Sequence, residues 1–144
     1  MTSYVLVCGD RYWTDKPTIE RTLKRLLLPG DIVLQGGNGY FENGRTARSV
    51  KDLAHCVRGA DALAFQVARQ LGHSSHTIWA EWEVDGKAAG PRRNAEMLSL
   101  KPRLVIAFHD DIIKSRGTRD MILKASRSGV GYILVDAGGE EVGL

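Results

Sequence analysis

Short apolar runs alternate with helix-length amphipathic stretches along nearly the whole chain, and this constrains the fold more than any other feature. Residues 4–8 (Tyr-Val-Leu-Val-Cys), 32–34, 77–80, 104–108 and 132–135 read as strands. Most are apolar on both sides rather than alternating, the pattern of strands covered on both faces. Between them, residues 15–28 carry Ile19, Leu23, Leu26 and Leu27 at helical spacing, with Asp15 to cap, Pro17 in the first turn and Pro29-Gly30 to stop. Residues 60–71 place Ala60, Leu63, Ala64, Val67 and Leu71 on one face before Gly72, and residues 91–100 and 117–127 read as two further helices. The expectation is an α/β fold: a Rossmann-like, doubly wound, mainly parallel five-stranded sheet with helices on both faces. At 144 residues the chain reads as one domain, residues 1–144.

One stretch departs from this economy. Residues 38–57 separate the second strand from its helix by more than the few residues usual for such a link. Asn43-Gly44 is a hairpin-turn signal and Ser49 can cap a short helix, so the segment reads as an ordered insertion or a flap over the site. The glycine-rich residues 136–144 are expected to fray.

Composition removes several classes of function. No apolar run approaches the roughly 20 residues that span a bilayer, and the first residues lack the pattern of a signal peptide. No membrane partner is expected, and the expected location is cytoplasmic. Cys8 and Cys56 make no disulfide framework, and no Cys/His spacing suggests a metal, so neither metal nor cofactor is expected. The net charge of +3 fits a phosphorylated ligand or weak nucleic-acid contact without requiring either. A homo-oligomer is compatible with all of this.

In doubly wound folds ligands bind at the carboxyl ends of the strands. After the first strand, Gly9 lets backbone amides approach a phosphate, Arg11 can fork onto it, and Trp13 offers a stacking face. Alternatively Trp13 lies at the core edge and Arg11 pairs with Asp15. After the second strand come Gly36 and Gly37. Asp61 can reach a ribose hydroxyl or serve as a first-turn helix carboxylate. Lys87, Arg92 and Arg93 flank Pro91 beside a helix N-terminus, where cations are unfavourable unless an anion joins them. Ser115, Gly117 and Thr118 can ring an anion at another helix N-terminus, or simply cap it. His109 and Asp110 are adjacent and so seldom face each other. No GxGxxG is present, which weakens a nicotinamide dinucleotide reading.

Gly9-x-Arg11-x-Trp13, Gly36-Gly37 with Gly59-Ala60-Asp61, Ala80-Glu81-Trp82, Gly86-Lys87-x-Ala89-Gly90-Pro91-x-Arg93-Asn94-x-x-Met97, Phe108 and Ser115-x-Gly117-Thr118-x-x-Met121 occur in this order. Together they resemble the YspA-type, YpsA-related branch of the SLOG superfamily, over roughly residues 4–135. That superfamily includes the cytokinin-releasing LOG phosphoribohydrolases and the DNA-processing protein DprA. The resemblance implies a Rossmann-like fold that binds nucleotides or nucleotide-derived ligands, without a defined reaction. LOG enzymes carry a PGGxGTxxE loop and an RKxxM segment. Arg93-Asn94-Ala95-Glu96-Met97 resembles the latter, which carries the catalytic arginine over to Arg93. Met121 stands where the LOG glutamate would be, and the glycine loop is only half present.

The expected function is therefore binding, as a sensor or sequestering protein, of a nucleotide or nucleotide-sugar. The expected cleft is lined by Gly9, Arg11, Trp13, Gly36, Gly37, Asp61, Lys87, Arg93, Asn94, Ser115, Gly117 and Thr118. An alternative is an N-glycosidic phosphoribohydrolase using Arg93 with Glu81 or Asp120 as the acid. A second alternative is DprA-like nucleic-acid binding, suggested by a pI near 9.0.

Overall fold

The computed structural model describes residues 2–142. In chain order it comprises β1 (Ser3–Gly9), α1 (Lys16–Leu26), β2 (Asp31–Gln35), α2 (Val50–Leu53), α3 (Ala60–Gln70), β3 (Ser75–Thr77), α4 (Trp82–Asp85), α5 (Ala89–Ser99), β4 (Leu104–Phe108), α6 (Arg116–Arg127), β5 (Tyr132–Val135) and β6 (Glu141–Val142). They form one sheet in the order β3-β2-β1-β4-β5-β6, in which β1 to β5 are parallel, as expected.

Alternate residues of β1 serve opposite faces, which follows from the two-residue period of a strand. Val5 and Val7 join a core with Ile19 and Leu23 of α1 and with Leu63, Ala64 and Val67 of α3. Leu6 joins Met97 of α5 with Met121 and Ala125 of α6. The sheet is thus doubly wound, with α1 and α3 on one face and α5 and α6 on the other. Each fully buried aliphatic chain in these layers contributes about 1.5–3 kcal/mol of transfer free energy. Strand order reverses direction between β1 and β4, so the crevice between the two helical layers opens at the carboxyl ends of those strands.

Two expectations need correcting, and one is narrowed. The third strand is Ser75–Thr77, not residues 77–80. The Gln35 side chain, fully buried, donates to Thr77 Oγ1 at 2.6 Å, and the ladder runs out with the bond from Ile78 N to the Gln35 carbonyl at 3.0 Å, because β2 itself ends at Gln35. Within the described residues the tail does not simply fray: Glu141–Val142 pairs antiparallel with β5, and Glu141 reaches Arg25 of α1, while residues 143–144 lie outside the described residues. Of the two readings of the insertion, the ordered one holds. Tyr40 bridges to Thr46 and Arg58, Ser49 caps α2, and Ala47, Leu53 and Cys56 bury against Ala62 and Phe65 of α3. This small second core explains why α3 is buried nearly all round. Among the described residues no helix is long and apolar enough to cross a membrane.

The amino ends of the strands are tied by one ion pair. Arg103 Nη2 and Nε reach Asp31 at 2.5 and 3.2 Å, Arg103 also donates to Leu26 O, and Leu28 N donates to Asp31 at 2.7 Å. Burial works to raise the Asp31 pKa, but the bonds from Arg103 and Leu28 outweigh it and hold the carboxyl below its ordinary 3.8. A lowered folded-state pKa adds stability above the unfolded value and loses it as pH falls through the folded value. Arg103→Ala is expected to lower unfolding free energy by about 2 kcal/mol at neutral pH, the scale of charge-assisted hydrogen bonds. In urea titrations that deficit should shrink as the pH drops below 3.8.

Candidate functional site

β1 ends at Gly9, whose φ of +154° and position against β4 both demand glycine: a Cβ there would overlap the Phe108 carbonyl oxygen. Asp10 N donates to that same carbonyl at 2.8 Å, which closes the seam between β1 and β4. β2 ends one residue before Gly36, whose bare Cα lies under the Arg93 guanidinium; any side chain would collide with it. Arg93 Nη1 donates to Gly36 O at 2.7 Å and Nε to Asn94 Oδ1 at 3.1 Å. Asn94, 4% exposed, donates onward from Nδ2 to Gly117 O at 3.2 Å and to Asp120 Oδ2 at 3.0 Å. Lys124 Nζ closes the chain on both Asp120 oxygens, at 2.6 and 2.7 Å. One continuous polar network therefore runs from the end of β2 across α5 to the first turns of α6.

Below it, Asp61 of α3 is 4% exposed and accepts a bond from Asn38 N at 3.1 Å. Burial pushes its carboxyl pKa above the ordinary value, while the Arg93 charge and the Asn38 and Gly36 amides pull against it. Burial also raises the Cys8 thiol well above its usual range, with the negative charge of Asp61 adding to this and that of Arg93 opposing it. Cys8, Asp61 and Arg93 thus share one neighbourhood at the carboxyl ends of β1 and β2. The loops interlock there: Gly59 N donates to Trp13 O, Ala60 N to Asp10 O, and Ala62 N to Asn38 O.

The structure brings Gly9, Gly36, Gly37, Asp61, Arg93, Asn94 and Gly117 together and disposes the rest otherwise. Trp13 is not a stacking face: it is 3% exposed, its ring packs 5.7 Å from Phe108, and its Nε1 donates to Asp15 O. Lys87, Arg92 and Arg93 do not converge as expected. Lys87 is exposed in a 3-10 turn, Arg92 turns outward to Asp85 at 2.7 Å, and only Arg93 enters the cleft. Ser115 spends its hydroxyl capping Thr118 N at 3.1 Å, and Thr118 is buried, whereas Gly117 is exposed with open space above it. Arg11 is exposed beside Tyr40. Glu81 does not end a strand; it is exposed just ahead of α4, four residues past β3. His109 Nδ1 accepts from Asp111 N within its own turn.

Two contributors escaped the sequence reading. Gln35 Oε1 accepts from Gly37 N at 2.8 Å and so shapes the glycine loop; a glutamine ending an apolar run before two glycines is the available signal. Asn38, through its amide, anchors the same loop to Asp61. Among the described residues no group of His, Cys, Asp and Glu side chains could hold a metal ion. Grooves of 370 Å³ outside α5 and α6 and 490 Å³ at the amino ends of β1 to β3 lie elsewhere. The carboxyl ends remain the candidate site because helix N-termini and loop amides point there in a parallel sheet.

The chain is 31% identical over 133 residues to the Gene 61 protein of Mycobacterium phage D29, an alignment covering 90% of this chain and 93% of the phage protein. The chain belongs to the family of that phage protein. No protein-family model matches it. The phage relative's name states no ligand or reaction, so the chemistry has to be argued from the strand-end network itself.

Asp61 gives that network a pH signature. A carboxyl whose folded-state pKa is raised stabilises fully below its unfolded value, and that stability is lost as pH rises through the folded value. Wild-type stability relative to Asp61→Asn is therefore expected to decline as pH rises above 3.8, since the amide can still accept from Asn38 N but never ionises. Parallel urea unfolding curves across that range measure it; a constant difference would show that Asp61 titrates normally.

Proposed function

We propose that this protein binds a phosphorylated nucleoside or nucleotide-sugar in the cleft at the carboxyl ends of β1, β2 and β4, as a sensor or sequestering protein rather than a hydrolase. The observation that carries the reading is the placement of Arg93. Its guanidinium lies over the bare Cα of Gly36, between glycine-bounded strand ends and the exposed Gly117 turn of α6. A guanidinium backed by a buried carboxyl suits a phosphate, with its planar fork and low local dielectric. The sequence likeness to the SLOG superfamily supports the same ligand class.

The hydrolase reading lacks a free acid. Met121, at the position where LOG enzymes carry glutamate, is fully buried between α6 and the sheet. Asp120 is neutralised by Lys124 and bonded to Asn94, and Glu81 sits exposed on a turn. A positioned acid contributes about a hundred- to ten-thousandfold to such reactions, so its lack should be plain in the rate. Incubation with AMP, cytokinin-type monophosphates and ADP-ribose is expected to release no free base. Steady release that disappears in Glu81→Gln or Asp120→Asn would overturn the binding-only assignment.

Mass spectrometry of small molecules freed from the purified, denatured protein is expected to find a phosphorylated nucleoside. Arg93→Ala should weaken binding of that compound roughly ten- to hundredfold, the range for a charge-assisted contact, with far less effect on its dephosphorylated form. Equal losses for both forms would reduce Arg93 to a structural tie between α5 and Gly36.

A further inference from the structure

Two tyrosines outside the network form a feature that the polar cleft does not explain. Tyr12, three residues past Gly9, and Tyr40, four past Gly36, stack with ring centroids 5.3 Å apart and planes 14° from parallel. Tyr12 is nevertheless 60% exposed, a large apolar surface left facing water. Both rings are held by backbone bonds at their base. Tyr12 N donates to Asp10 Oδ1 at 2.9 Å, and Tyr40 exchanges bonds with Arg58 and Val57. The Gly59 backbone wedges between the two loops, against Asn38 O and Arg11 O, which fixes their spacing. Arg11 adds a positive charge beside the Tyr40 hydroxyl.

We infer that the exposed face of Tyr12, backed by Tyr40 and edged by Arg11, is the seat of the nucleobase of a free nucleoside monophosphate whose phosphate lies toward Arg93. The inference rests on the cleft reading above and names the part of the ligand that the cleft itself does not hold. An aromatic ring held against a second ring is ordered before the ligand arrives, so little further entropy is lost on stacking. Base-on-aromatic stacking tolerates any base, which makes the predicted preference one for nucleotides over sugar phosphates rather than for one base. The insertion that supplies Tyr40 then has a purpose beyond covering α3: it builds half of the ledge.

The test is isothermal titration with the four common ribonucleoside 5′-monophosphates, with ribose 5-phosphate, and with a single-stranded oligonucleotide at two salt concentrations. The monophosphates are expected to bind roughly five- to hundredfold more tightly than ribose 5-phosphate, the range that stacking on one aromatic supplies. Tyr12→Ala should bring them down to the level of ribose 5-phosphate without changing the latter, and Tyr12→Phe should retain the preference. Unchanged ribose 5-phosphate binding also reports that the variant is folded. Monophosphate binding untouched by Tyr12→Ala would overturn the ledge and leave the cleft reading standing. Failure of these small ligands and of ADP-ribose to bind the wild type would overturn both. Tighter, steeply salt-dependent binding of the oligonucleotide would assign the ledge to a nucleic-acid strand and overturn the mononucleotide assignment.

Discussion

Arg93 lying across Gly36 organises the carboxyl end of this molecule. The contact requires a residue without a side chain at the end of β2, a helix α5 entering at the right height, and a carboxyl nearby to balance the guanidinium. Each requirement is met from a different part of the chain: Gly36 from the second loop, the start of α5 at Ala89, and Asp61 from the first turn of α3. Asn94, next to Arg93, carries the connection on to α6.

The double winding is what makes such a contact possible. Because β1 sends alternate side chains to opposite layers, α3 and α5 approach the same strand ends from opposite faces. The crevice between them opens where strand order reverses, and Gly9 keeps it narrow by letting the Phe108 carbonyl come close. At the opposite end of the strands, the Asp31–Arg103 pair does purely structural work, tying the turn after α1 to the start of β4. One end of the sheet is thus closed by a strong ion pair while the other keeps its cation near the surface of a cleft.

The insertion shows how a departure from a simple pattern finds its own stability. Residues 38–57 could not be absorbed into the main core, since α3 already faces the sheet there. They built a second small core on the outer side of α3 instead, using Leu53, Cys56 and Phe65. In doing so they placed Tyr40 against Tyr12. Two segments 28 residues apart in sequence thereby share one surface at the site.

The sequence by itself determined the order and type of the main elements. Strands apolar on both sides and helices with caps carry their signals locally, which is why β4 and β5 and the capped start of α1 lie where the pattern put them. It also marked the strand-end glycines and Arg93, because loops after parallel strands are the ligand-bearing positions of this architecture. Tertiary structure alone decided how the marked residues are used. Trp13 went to the core, where Phe108 and α1 bury it, and Arg92 turned outward to pair with Asp85. The short β3 followed from β2 ending at Gln35, its last partner, and β6 from the tail meeting β5. Side-chain orientation is settled by contacts between distant segments, and no local spacing encodes those contacts.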